Sequence, residues 1–157
     1  MRVFAIGGYY REKNDLEELA EEVEQLKDFG IYGLKLKLGG KSPQEDAKRA
    51  EVVRLKGGPD FLLGCDANQG WTVAQALEFT ERTKDLKLDW LEEPCKWDND
   101  RADMARVRAV CGIPIAAGQS EISRFGCRDL MQAKAIDMCN FDASWGGGPS
   151  EWRKVAM

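Results

Sequence analysis

The sequence predicts an α/β protein, an incomplete (β/α) barrel of about six β/α units, where the complete barrel has eight. Three observations predict it. Strand-like and helix-like segments alternate along all 157 residues, with strands recurring about every 27 residues and one helix between each pair. That rhythm implies parallel strands joined by right-handed crossovers. Polar residues gather at or just beyond the carboxyl ends of successive strands: Lys35 and Lys37, Asp66 and Asn68, Glu92 and Glu93, Gln119 and Glu121, and Asp142. A barrel collects its polar groups at that rim, whereas a doubly wound sheet concentrates them at one crevice. A complete barrel takes about 250 residues, so residues 1–157 are read as one domain whose last strands and amino-terminal capping domain are missing.

The elements follow in order. Val3 to Tyr9 reads as a strand, and Asn14 is expected to cap a helix to about Phe29. The apolar positions Leu16, Leu19, Ala20, Val23 and Leu26 fall on one stripe of that helix. Tyr32 to Leu38 is the second strand. Ser42-Pro43-Gln44-Glu45 opens the next helix, with proline in the first turn and acid where the helix dipole favours it. Gly57-Gly58-Pro59 stops that helix. Phe61 to Asp66 is the third strand, and Thr72 caps a helix to about Lys84. Leu88 to Glu92, Ile113 to Ala117 and Ile136 to Asp142 complete the strands. Helices run between them from about Asn99 to Val110 and from about Arg124 to Ala133. A last helix begins after Gly146-Gly147-Gly148-Pro149, a stretch read as a strand-to-helix turn rather than a phosphate cradle, because no lysine follows.

Composition narrows the chemistry. A chain 43% hydrophobic and 32% charged can bury one good core. Its net charge of −4 gives no reason to expect nucleic acid or an anionic membrane as partner. No stretch is long and apolar enough to span a bilayer, and the run Met1 to Ile6 is too short for a secretory signal. The five cysteines are scattered and contain no Cys-x-x-Cys pair, which points to a reducing cytosol and away from a disulfide framework or zinc. Cys65 and Cys139 read as small core residues. Histidine is absent, so acid–base work falls to Lys, Asp, Glu, Tyr or Cys. A metal site would be built mainly of oxygen and would suit magnesium.

The second strand carries the sharpest signal, Gly33-Leu34-Lys35-Leu36-Lys37-Leu38-Gly39. Leu34, Leu36 and Leu38 share one face, Lys35 and Lys37 the other. Two ammonium groups side by side repel, so one lysine is expected to give up its proton more readily than a free lysine and to serve as a general base. An edge strand with a wet face accounts for the same pattern. Asp66 ends the third strand and Glu92 the fourth. Neighbouring strand residues point oppositely, so only one of Glu92 and Glu93 can face the barrel axis. Two carboxylates facing one axis call for a cation between them, magnesium or a rim lysine.

These motifs in this order resemble the mandelate racemase and muconate lactonising branch of the enolase superfamily: Lys35-Leu36-Lys37, Asp66-Ala67-Asn68, Leu91-Glu92-Glu93-Pro94, Gly112-Ile113-Pro114-Ile115, and Asp142-Ala143-Ser144-Trp145-Gly146-Gly147-Gly148. The resemblance covers essentially the whole chain. It implies an enzyme in which magnesium holds a substrate carboxylate, a base removes the neighbouring proton, and an enediolate results. It makes Lys37 the base, Lys35 its neighbour, and Asp66 and Glu92 two metal ligands, with Asn68 near substrate. The third ligand falls by register on Gln119, while Glu121, of the same parity, offers the carboxylate that a hard cation prefers. Asp142 stands where lactonising and epimerase-like members carry lysine, which is similar to the racemase and acid-sugar dehydratase side. There an aspartate orients a histidine of the seventh strand, and here a helix cap is the plain alternative for Asp142. Trp71 and Trp145 are pocket candidates, and Trp90 reads as barrel packing.

The resemblance therefore implies dehydration of a sugar acid, a small-molecule carboxylate. Racemisation or epimerisation of a 2-hydroxy acid is the alternative, and a truncated, inactive chain is a third reading. An open barrel exposes two strand edges and an apolar interior, so assembly with another chain is expected; members of the family also self-associate.

Overall fold

The computed structural model describes residues 3–157; Met1 and Arg2, part of the opening apolar run, lie outside the described residues. Six strands form one sheet in sequential order, β1 (Ala5–Gly7), β2 (Gly33–Lys37), β3 (Leu62–Asp66), β4 (Trp90–Glu92), β5 (Ile115–Ala117) and β6 (Met138–Cys139), each parallel to its neighbours. The order never reverses. A doubly wound sheet reverses at its switch point, so sequential order selects the barrel type of winding.

The crossovers are α1 (Asp15–Asp28), α2 (Pro43–Gly57), α3 (Val73–Arg82), α4 (Asp100–Cys111) and α5 (Arg124–Gln132), and α6 (Pro149–Val155) follows β6. Short 3₁₀ turns follow α3 at Lys84–Leu86 and precede α4 at Trp97–Asn99. Ser42 and Thr72 both form full capping boxes, with Glu45 and Gln75 respectively, which satisfies amide groups that a helix start leaves bare. Asn14 does not cap as expected. It adopts the left-handed conformation and makes no side-chain cap bond, and the Asp15 carboxylate instead turns back to accept from the Arg11 amide.

Alternation along the strands separates two environments. Leu34, Leu36, Leu63, Cys65, Leu91 and Ile115 are fully buried in the main core with Val23, Ala50, Val53, Phe79 and Val107 of the helices. Each such aliphatic side chain contributes about 1.5–3 kcal/mol relative to exposure. Trp71, expected at the pocket, belongs to this core: it is buried and stacks on Phe79 with ring centroids 4.8 Å apart. Cys65 is buried as expected, Cys139 is only half-buried, and all five cysteines are free thiols. Among the described residues no helix is long and apolar enough to cross a membrane.

The outer strands are shorter than the sequence suggests, since β1 and β6 each have only one partner to hold them. Asp142 accordingly sits beyond β6, in a turn closed by Gly146 N donating to Asp142 O.

Candidate active site

Period-two geometry places the charged side chains together on the inner face. One register row joins Ile6, Lys35, Gly64 and Trp90. The row two residues nearer the carboxyl ends joins Lys37, Asp66, Glu92, Ala116 and Met138. Close packing inside demands a small residue opposite a large one. A Cβ on Gly64 would lie 2.2 Å from the Trp90 ring, so this glycine makes room for the indole.

Lys35 Nζ donates to Glu92 Oε1 at 2.8 Å and pairs with Asp66 Oδ2 at 3.0 Å. Lys37 Nζ donates to the same Asp66 oxygen at 2.7 Å and to Asn68 Oδ1 at 2.9 Å. Asp66 Oδ1 accepts from the Asn68 amide. The two ammonium groups are thus bridged by a carboxylate that is wholly buried. This changes the expected electrostatics. Burial pushes Lys35 towards its neutral form, but the hydrogen bond to Glu92 and the charges of Asp66 and Glu92 outweigh it, so its pKa rises rather than falls. The pairing of ammonium groups expected from the sequence is thus joined by carboxylates that the next strands bring between them, and for Lys35 these prevail. Glu92 is displaced upward, first by burial and then by the Asp66 charge, with Lys35 opposing.

Glu92 and Glu93 diverge as expected of neighbours on a strand. Glu92 faces Lys35, and also accepts from Asn140 Nδ2 at 2.8 Å and from Trp90 Nε1 at 3.3 Å. Glu93, at φ 41°, leaves the strand and turns to the loop after β5, where it accepts from Gln119 Nε2 at 3.0 Å and Ser120 Oγ at 2.9 Å.

Gly118, at φ 127°, lets that loop bend sharply and separates the two candidates for a third ligand. Gln119 lines a rim cavity of about 350 Å³ together with Lys37, Asn68, Glu93, Asp142 and Trp145. Glu121 does not line it. Its Oε1 accepts from Arg101 Nη2 at 2.6 Å, and its other oxygen lies where a Cβ on Gly126 would be. The equal parity inferred from an extended strand fails because the chain has already turned, with Glu121 N donating to Gly118 O. Glu121 is thus engaged by Arg101 and stands outside this cavity.

Asp142 reaches the rim cavity but is engaged by its own turn. Its Oδ1 accepts from Ser144 N at 2.7 Å, and bonds to Ser144 hold the carboxyl below its ordinary value. It makes no capping bond to α6, whose N-cap is Gly148. Trp145 is largely exposed and hangs over the rim, donating from Nε1 to Gln119 O at 2.7 Å. Asn140, which the sequence reading passed over, links the two halves of the site: its Oδ1 accepts from Gln119 N at 3.1 Å while its Nδ2 holds Glu92. An amide between Cys139 and Phe141 in a strand-like run was the available signal, since a polar side chain there needs partners.

The donor set is all oxygen. Among the described residues no three His, Cys, Asp or Glu side chains gather as a metal cluster. What exists is a carboxylate pair, Asp66 and Glu92, meeting at the single ammonium nitrogen of Lys35. A small hard cation needs no more than one or two carboxylates when amide oxygen, substrate and water complete its shell.

Comparison with known proteins places these residues in a family. Residues 18–157 match the enolase C-terminal domain-like family. The chain is 35% identical over 156 residues to arabinonate dehydratase of Saccharolobus solfataricus and 34% identical over 157 residues to D-galactarolactone cycloisomerase of Agrobacterium fabrum, each alignment covering 99% of this chain and 41% of the relative. It therefore spans about two fifths of the length of these relatives. A crystal structure of a mandelate racemase/muconate lactonizing enzyme from a marine actinobacterium, in complex with magnesium, superposes with a TM-score of 0.94 at 45% identity, covering 99% of this chain and 44% of that one. With most of its length matched by the family and its fold superposing on such an enzyme, the chain belongs to the enolase C-terminal domain-like family of the mandelate racemase and muconate lactonising enzymes.

Proposed function

We propose that this barrel performs magnesium-dependent removal of the proton beside the carboxylate of a sugar acid, followed by loss of the β-hydroxyl as water to give a 2-keto-3-deoxy acid. One observation carries the reading: Asp66 and Glu92 converge on a single cationic centre, with the Lys37 amine beside them at the mouth of an open cavity. The names of the two relatives, a sugar-acid dehydratase and a sugar-lactone cycloisomerase, support the substrate class.

The donor chemistry fits magnesium. Asp66, Glu92 and the side-chain oxygen of Gln119 would hold it, and substrate and water would supply the rest. When bound, the ion supplies positive charge against a substrate carboxylate as negative charge builds on it. Lys37 takes the α-proton, being the lysine that lines the rim cavity; Lys35 lies deeper, against Trp90 and Glu92. Asn68, already bonded to Lys37, orients that amine and meets substrate hydroxyls. Asp142 and Trp145 close the far side of the same cavity.

The test is calorimetric titration of the purified chain with magnesium, followed by incubation with a panel of aldonic and aldaric acids in heavy water. Saturable binding that Asp66→Asn abolishes, with keto-acid release that Lys37→Ala abolishes, is the expected result. Deuterium exchange at the α-carbon without keto-acid release would move the reading to racemisation or epimerisation. Absence of saturable magnesium binding would overturn it.

A further inference from the structure

We infer that Glu93 is a positioning residue that turns the Gln119 side chain so that its oxygen, not its nitrogen, is presented to the cation held by Asp66 and Glu92. This deepens the magnesium reading above and rests on it.

An amide differs from a carboxylate in having one end that can ligate a cation and one that cannot. The two ends have nearly the same shape, so something must choose between them. Here the choice is made by a buried acid. Glu93 is only 3% exposed and accepts from Gln119 Nε2 and from Ser120 Oγ. A carboxylate has acceptors alone; a glutamine reversed against it would set oxygen against oxygen at the buried Glu93 carboxylate. The amide nitrogen is therefore committed to Glu93.

The rest of Gln119 is committed as well. Its backbone N–H donates to Asn140, which in turn holds Glu92, and its backbone carbonyl accepts from Trp145. The side-chain Oε1 accepts no hydrogen bond among the described residues, and the residue borders the cavity shared with Lys37. One free oxygen remains on a residue fixed at three points. A carboxylate at position 119 would need no such selection, since either of its oxygens can ligate. Glu93 thus matters in proportion to position 119 being an amide.

A double-mutant cycle read by magnesium calorimetry tests this directly, with circular dichroism and urea denaturation as folding controls. Glu93→Gln removes the acceptor-only demand at nearly constant shape and should weaken magnesium binding about tenfold or more, the usual cost of losing a partner that orients a ligand. In a Gln119→Leu background, which has no amide to orient, the same Glu93→Gln change should alter affinity less than about threefold. Gln119→Leu deletes the oxygen together with the amide donor to Glu93 and should weaken binding at least as much as Glu93→Gln, which keeps the test alive if Glu93 variants fold poorly. Equal losses from Glu93→Gln in both backgrounds, or unchanged affinity in Gln119→Leu, would overturn the inference. If wild-type binding is saturable and lost in Asp66→Asn, equal Glu93→Gln losses fall on Glu93 alone, whereas unchanged affinity in Gln119→Leu also takes Gln119 out of the ligand set and leaves Asp66 and Glu92 in it. If wild-type protein binds no magnesium, or Asp66→Asn binds it equally well, the parent reading and this inference fall together.

Discussion

Asp66 is the residue on which the inner charges depend. Its carboxylate receives Lys35, Lys37 and the Asn68 amide, with no exposure to solvent. Charges so deeply placed are tolerable only because each is paired; removing one partner leaves the others uncompensated. Asp66→Asn keeps the shape and deletes the charge, so two ammonium groups then face a neutral amide. Breaking a buried pair costs about 3–5 kcal/mol, and urea denaturation should show a loss of that order, larger than for Lys37→Met, whose ammonium is more accessible. A loss below 1 kcal/mol, on the scale of about 0–1 kcal/mol for surface pairs, would mean that the cluster is solvated.

At the scale of elements, packing inside the barrel and pairing along its rim can be probed separately. Gly64 on β3 and Trp90 on β4 form a small-to-large pair, and Phe4 meets the same indole edge-on with ring centroids 5.4 Å apart. Gly64→Ala should cost about 1–3 kcal/mol by overpacking, and Trp90→Leu should relieve most of that added cost when the two are combined. Additive losses in the double variant would mean the two do not compete for space. Between β5 and β6, Asp137 accepts from the Ile115 amide and from Arg108 of α4. The Arg108 bond, above all, holds the Asp137 carboxyl below its ordinary value against the opposing effect of burial, with the Ile115 bond adding to it. A carboxyl lowered in the fold contributes stability above its unfolded pKa of about 3.9, and that contribution is lost as pH falls through the folded value. Arg108→Leu should therefore move the acid-unfolding midpoint, followed by circular dichroism, to higher pH. A midpoint that stays put would show the pair to be energetically silent.

The whole molecule shows an apolar inner surface beside its charged rows. Phe4, Ile6, Trp90, Ala116 and Met138 border a cavity of about 400 Å³ on the inner face, and Phe4, Ile6 and Met138 are exposed. Contiguous apolar surface of this kind binds hydrophobic probes and favours association. The native chain should enhance the fluorescence of an anilinonaphthalene sulfonate dye before any unfolding. Met138→Lys should reduce that enhancement while changing stability by no more than about 0.5 kcal/mol, as expected of an exposed position. Dye binding unaffected by Met138→Lys would place the apolar surface elsewhere.

By itself the sequence determined the alternation of strands and helices, the two-faced lysine strand, and the inward set Lys35, Lys37, Asp66 and Glu92. Each follows from a local period, which needs no knowledge of distant residues. Tertiary structure decided everything that depends on which strand lies beside which. It placed Asp66 between the two lysines, where with Glu92 it raises the pKa of Lys35. It sent Trp71 into the core against Phe79. It turned Glu121 away to Arg101, because the left-handed bend at Gly118 ends the alternation that parity assumes. It also joined Gln119 to Glu93 and Asn140, residues about 20 to 26 positions away along the chain that only parallel neighbouring strands can bring within hydrogen-bond reach.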